Sequence, residues 1–233
     1  LFAGIHKGFA PPRIKDAITA TGVPYNLDAE LSTNYELGTR IKFNDYFNAE
    51  LTGFILDFKN QIIPVSNSSG NSNASGVVNG GQTLHRGIEA GFQIDLGKMA
   101  GLKNSYTFES SITVQGSEYS NDRFISVNGS TVNVKENKLP YAANLMIWNA
   151  AGINLHNGFG FRVSGNYIGS QFTDEINSEV PSANGRTGKI SSRYIVDANA
   201  YYRIPKTNAN LNLAVKNLTD QRYISSRRPE GIR

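Results

Sequence analysis

The chain contains no cysteine among its 233 residues. That excludes a disulfide framework and any thiolate-bound metal. Histidine is nearly as scarce: His6, His85 and His156 are scattered, and there is neither an HExxH zinc motif nor a Walker-type phosphate loop. These absences leave no catalytic residues, metal ligands or cofactor to assign. No run of about 18 apolar residues occurs, so no helix of the sequence spans a membrane. No sign of charge dominates. The net charge of +4 is spread along the chain and forms no basic stripe of the kind that grips nucleic acid. The mean hydropathy of −0.35 leaves a membrane location open, because barrel strands alternate polar and apolar residues and average out. No signal peptide opens the chain. Leu1-Phe2-Ala3-Gly4-Ile5 reads as the middle of a strand, so the chain is expected to begin inside a longer protein.

What is present is a rhythm. Amphipathic runs are joined alternately by tight turns and by long polar stretches. Asn44-Asp45-Tyr46 is tight; residues 62–83, rich in Asn, Ser and Gly, are long. Lys98-Met99-Ala100-Gly101-Leu102 is brief and residues 117–138 are long. His156-Asn157-Gly158 is tight, residues 173–191 are long, and Pro205-Lys206-Thr207-Asn208 is tight again. Outer-membrane barrels have this asymmetry, with short periplasmic turns and long extracellular loops. A soluble sandwich has no reason to gather its long loops at one end.

Within the runs, successive side chains alternate as strand side chains must. Tyr35, Leu37, Ile41 and Phe43 alternate with Glu36, Gly38, Arg40 and Lys42. Ile88, Ala90, Phe92 and Ile94 alternate with Glu89, Gly91, Gln93 and Asp95. Phe161 and Val163 alternate with Arg162 and Ser164, and Leu211, Leu213 and Val215 with Asn210, Asn212 and Lys216. The pattern predicts about nine strands, each with an apolar face for lipid and a polar face for a wet lumen. Aromatics at Phe43, Tyr46, Phe47, Tyr201 and Tyr202 flank the tight turns, as an interfacial girdle requires. Two runs are irregular. Residues 47–58 change phase near Gly53, which predicts a bulge, and Met146 and Trp148 fall on an otherwise polar face.

Several segments resemble a known family, in order along the chain. Lys7-Gly8-Phe9-Ala10-Pro11-Pro12, Asn34-Tyr35-Glu36-Leu37-Gly38, Leu84-His85-Arg86-Gly87-Ile88-Glu89 and the penultimate-strand stretch Val215-Lys216-Asn217-Leu218-Thr219-Asp220-Gln221-Arg222-Tyr223 resemble TonB-dependent outer-membrane receptors. Leu139-Pro140-Tyr141-Ala142, Tyr167-Ile168-Gly169-Ser170-Gln171-Phe172-Thr173-Asp174 and the Arg-rich end of the chain look most like the ferric-citrate type. The resemblance implies an all-β fold: an antiparallel transmembrane β-barrel of roughly 22 strands with a plugged lumen. Residues 1–233 would be its C-terminal part, with the plug domain and the last strand outside the chain. It further implies a receptor in the outer membrane of a Gram-negative bacterium, set among lipid and lipopolysaccharide. That receptor would take up a ferric chelate, a siderophore or ferric citrate, energised by the TonB complex through the N-terminal part. A passive porin-like channel and an outer-membrane barrel enzyme are the alternatives.

Ferric chelates of this kind are anionic, and guanidinium offers carboxylates a planar fork of donors. Arg13, Arg193, Arg227 and Arg228 fall in or beside the predicted outer loops and are the candidate ligand-binding residues. His85, near the outer rim, and Gln171, read as ending a strand on the same side, join them. Outer-loop arginines also serve as plain surface charges or contacts for lipopolysaccharide phosphates, and a solvated histidine needs no ligand.

Overall fold

The computed structural model describes residues 1–13, 26–64, 76–127 and 129–227. A nine-stranded antiparallel sheet dominates it. Its strands run in chain order: β1 (Phe2–Ala10), β2 (Glu30–Phe43), β3 (Phe47–Lys59), β6 (Gln82–Asp95), β7 (Ser105–Tyr119), β10 (Leu145–Asn154), β11 (Phe159–Ile168), β12 (Arg193–Arg203) and β13 (Asn210–Val215). Two ribbons stand apart, β4 (Ile62–Pro64) with β5 (Val77–Asn79), and β8 (Phe124–Val127) with β9 (Ser130–Asn133).

Because neighbours are antiparallel and consecutive, every second connection lies at the same end. The connections 44–46, 96–104, 155–158 and 204–209 are short; 11–29, 60–81, 120–144 and 169–192 are long. Each short turn has a local cause. Asn44 and Lys206 take positive φ, as does Gly158, where a Cβ would meet the Arg203 carbonyl oxygen at 2.6 Å. Residues 96–104, expected as a plain turn, begin with one helical turn, α1 (Leu96–Met99), whose N-cap Asp95 accepts the Lys98 amide at 3.1 Å.

The register shows which residues share a face. Ile41, Ala49, Phe92, Ser110, Asn149, Gly165 and Val196 form one row across the outer surface. Large apolar side chains crowd that surface: Leu37, Ile41, Ile88 and Val114 are all more than half exposed. Among the described residues only Tyr119, Ile125, Val134, Ala143, Ala150 and Ile190 are buried hydrophobics. Leaving an outer face of this kind in water would cost roughly 1.5–3 kcal/mol per large side chain, so its solvent must be apolar. Phe92 is 39% exposed and touches the Phe108 ring on the next strand rather than a second sheet. That rules out the sandwich. Near the short turns Phe43, Phe47, Tyr106, Phe159 and Tyr202 share the outer face. Tyr201 does not belong to this girdle, contrary to expectation; it points inward, over Gly160, and its hydroxyl donates to the Asn154 amide oxygen.

The expected bulge at Gly53 is absent. Leu31↔Lys59 through Phe43↔Phe47 is one unbroken register, as is Phe47↔Ile94 through Lys59↔Gln82. The phase is constant; the surroundings change. β2, β3 and β6 have 13 or 14 residues, more than the 9–11 a tilted strand needs to cross a bilayer. Toward the long loops their outer residues become Asp57, Lys59 and Arg86, while Phe54, Leu56 and Phe58 point inward. Met146 and Trp148 do point inward, as the alternation indicated. Trp148 serves there as a platform: the Arg162 guanidinium sits 5.3 Å from its ring while pairing with Glu109 at 2.9 Å. β13 ends at Val215, so the run through Tyr223 is not one strand. Asn217 and Asp220 take positive φ, and the Asn217 side chain bonds the Gln221 backbone on both sides, closing a turn.

Candidate functional site

The long connections are folded against one another. Residues 117–138, expected as polar loop, continue β7 to Tyr119 and then build the β8–β9 ribbon. Tyr119, Ile125 and Val134 form a small core there, joined by Val127, Leu139 and Ile176. Its polar centre is an ion pair. Arg123 Nη2 lies 3.1 Å from Glu175 Oε1, with side-chain exposures of 10% and 2%. The Tyr119 hydroxyl donates to the same carboxylate at 2.9 Å, and Asn137 Nδ2 donates to the Glu175 carbonyl at 2.8 Å. Burial, followed by the charge of Glu175, drives the Tyr119 phenol upward, so it remains a donor. Arg123 also donates to the Asn79 carbonyl at 3.4 Å, which ties in the β3–β6 connection. Asn177 and Lys138 exchange a second pair of bonds, at 2.7 and 2.8 Å, between the same two long loops. At the edge of this layer, Asp122 accepts from Asn133 and lies 3.5 Å from Lys135, which holds its carboxyl below the ordinary range.

Beside the ion pair is a cavity of about 220 Å³, lined by Tyr119, Leu139, Tyr141, Asp174, Arg186 and Arg227, among others. Asp174 is engaged within the wall, accepting the Ser178 and Gly188 amides at 3.1 and 3.4 Å. Gly188 is obligatory: φ is +111° and a Cβ would fall 2.5 Å from Pro181 Cα. Arg227 is fastened by its backbone amide to the Tyr141 hydroxyl at 3.2 Å and by Nη1 to the Gly185 carbonyl at 3.1 Å. The Tyr141 hydroxyl in turn donates to the Arg227 carbonyl. The Arg227 Nε is buried and has no partner among the described residues. Two guanidinium groups, those of Arg186 and Arg227, thus line a partly apolar cavity whose wall also holds the carboxylates of Asp174 and Glu175. Among the described residues no cluster of acidic or histidine side chains could hold a bare metal ion.

Residues 1–218 match the protein family described as TonB dependent receptor-like, beta-barrel. The chain belongs to this family. Solved structures of similar fold include the unliganded ferric citrate transporter FecA, with TM-score 0.72 and 24% identity over 95% of this chain and 31% of that one. The siderophore receptor PiuA from Acinetobacter baumannii gives TM-score 0.71 and 18% identity over 97% and 30%. The ferric yersiniabactin uptake receptor FyuA from Yersinia pestis gives 0.67 and 18% over 95% and 30%. The chain therefore spans about a third of the length of these receptors. As in other TonB-dependent receptors, the apolar outer face lies in the outer membrane of a Gram-negative cell, the short turns are periplasmic and the long loops extracellular. These proteins are receptors and transporters, not enzymes.

In this receptor barrel the candidate ligand residues are scattered. Arg227 lines the extracellular cavity. Arg13 is exposed just beyond β1 and apart from the cavity. His85 lies on the inner wall of β6, with Nε2 3.2 Å from the Thr83 hydroxyl and Nδ1 3.0 Å from that of Ser117. Arg193 opens β12 with its guanidinium 5.2 Å from the Tyr223 ring, and its Nη1 is buried without a partner among the described residues. Gln171 does not end a strand: β11 stops at Ile168. Gln171 is instead a buried isolated bridge to Ile190. Arg228 lies outside the described residues, as do residues 65–75 of the expected Asn-Ser-Gly loop. Sequence reasoning missed Arg186, which follows the Asn184-Gly185 turn, and Tyr141. The first carried a signal, a cation at the tip of a tight turn in a long outer loop.

Proposed function

We propose that residues 1–233 are the C-terminal part of the transmembrane barrel of a receptor that imports a ferric chelate, a siderophore or ferric citrate, with energy delivered through TonB. In this reading the plug and the last strand belong to the rest of the protein, and TonB acts through its N-terminal part. The observation that carries the reading is the extracellular cavity where Arg186 and Arg227 meet Tyr141 over an apolar wall. A ferric chelate with ionised carboxylates is matched by forked cations beside a surface for its carbon skeleton. Import requires that the ligand bind one arrangement of the plug more tightly than another, so that energy input releases it. No covalent chemistry is asked of these residues.

The test is equilibrium binding of ferric citrate and of anionic ferric siderophores to the full-length receptor. Changing both Arg186 and Arg227 to alanine should weaken binding of the cognate chelate more than about tenfold, or 1.4 kcal/mol, with barrel abundance unchanged. Arg203→Ala, at the periplasmic turn, should leave binding intact. Wild-type affinity in the double variant would refute this assignment of the site.

A further inference from the structure

The lipid-facing surface is not uniform around the wall. On β2, β3 and β6 it is built of large side chains: Leu37, Leu51, Ile55 and Ile88 are each between 49% and 60% exposed. On β10, β11 and β12 the middle of the same surface is small and partly polar. Asn149 stands between Ser110 and Gly165, and Ala151, Ala198 and Ala200 follow toward the periplasmic turns. Asn149 is the fifth of ten residues in β10. A tilted strand of that length crosses the bilayer, so the Asn149 amide sits near the midplane. Leu145 and Ile147 face lipid above it, and Ala151 and Ile153 face lipid below it. The amide has no hydrogen-bond partner among the described residues. Hydrocarbon offers it neither donor nor acceptor, so leaving it there is costly.

A second polar group points to the same spot. Tyr194 pairs with Tyr167 near the loop end of β12, at a level where tyrosine rings ordinarily sit among head groups. Its ring leans the other way, toward the periplasmic side. It covers Gly165, where a Cβ would collide with the hydroxyl. That hydroxyl also lacks a partner among the described residues. Gly165 is the residue directly opposite Asn149, so hydroxyl and amide are both held over one point of the lipid face.

We propose that this patch is the contact between two copies of the receptor in the outer membrane. The occupant follows from chemistry and from depth. A carboxamide carries both donors and an acceptor, so two of them close a reciprocal pair in which each Nδ2 donates to the other Oδ1. Copies in one membrane share an orientation, so the two-fold axis that relates a pair runs along the membrane normal. Such an axis brings each Asn149 to its counterpart at the same depth, and the contact is the same patch on both copies. An unrelated barrel would have to carry a matching polar group at that depth. The small residues beside Asn149 let the two walls approach until the amides meet, as small residues do between membrane helices.

The test is disulfide capture in outer-membrane vesicles that hold the full-length receptor. Residues 1–233 contain no cysteine, so an introduced thiol is the only one in this part of the barrel. Ala151→Cys, beside Asn149 on the same face, should give a disulfide-linked dimer under mild oxidation. Leu51→Cys, on the lipid face of β3, should give none. Adding Asn149→Leu to Ala151→Cys should lower the dimer fraction by roughly fivefold or more. Leucine suits a lipid-facing position, so barrel abundance should be unchanged and the loss is not one of folding. An undiminished dimer fraction after Asn149→Leu would overturn the proposal. So would the absence of a dimer through Ala151→Cys, equal capture through Leu51→Cys, or capture of a different protein in place of the second copy.

Discussion

The wall and the extracellular layer of this barrel are built from opposite materials. In the wall each residue is fixed by a neighbour directly across a ladder, its apolar side faces lipid, and almost nothing is buried. In the loop layer there is a true core around Tyr119, Ile125 and Val134, with the buried pair Arg123–Glu175 at its centre. The wall tolerates polar residues on its inner face and charges above the membrane, because water reaches both. The loop layer excludes water, so its polar groups must find partners within the protein. The difference explains where rigidity comes from in an irregular region: 120–144 and 169–192 are held by long-range bonds between side chains rather than by a ladder.

The sharpest way to break this comparison is Arg123→Met in the full-length receptor. It takes the Arg123 cation away from the buried Glu175 carboxylate, a loss of about 3–5 kcal/mol. Hydrogen exchange should rise across 120–144 and 169–192 while β3, β6 and β7 keep their protection. Equal deprotection of loops and strands would mean that the two regions are one cooperative unit. Next in size is Phe92→Lys, which places a charge in the lipid-facing band and should cost about 2–4 kcal/mol in a denaturant titration of the receptor in lipid vesicles. Gln93→Lys, one residue away but facing the lumen, should be nearly neutral; similar costs at the two positions would contradict the facing derived from the register. Replacing Trp148 with leucine removes the platform beneath Arg162 and should cost about 0.5–2 kcal/mol, read by the same titration, with Arg162–Glu109 still paired. The smallest effect belongs to Arg40→Gln. Its pair with Glu50 at 2.9 Å is solvent-exposed and its guanidinium lies 4.6 Å from the Phe2 ring, so the loss should stay within about 1 kcal/mol in the same titration.

How much could be read in advance followed the same division. Alternation in residues 35–43 and 84–96 was enough to orient β2 and β6, because a ladder transmits period two from strand to strand. The error at Gly53 has an instructive origin. Polarity does not report facing there: above the membrane the outer residues Asp57 and Arg86 meet water and Phe54 turns inward without any change of phase. Among the ligand candidates Arg227 lines the cavity, whereas Arg193 and His85 lie on the inner wall, Arg193 against the Tyr223 ring and His85 between the Thr83 and Ser117 hydroxyls. Arg123 and Glu175 are 52 residues apart, and no pattern in either neighbourhood links them.

By itself the amino-acid sequence determined the class of structure: amphipathic strands of period two, tight turns at one end, long connections at the other, and hence a barrel wall with lipid outside. Those properties are local, and the ladder only repeats them. The tertiary structure alone decided which loop residues meet and where the Arg186–Arg227 cavity opens. The physical reason is the range of the interactions. Strand facing is set within two residues, whereas a buried ion pair or a cavity is set by chain segments that approach only after the sheet has closed its register.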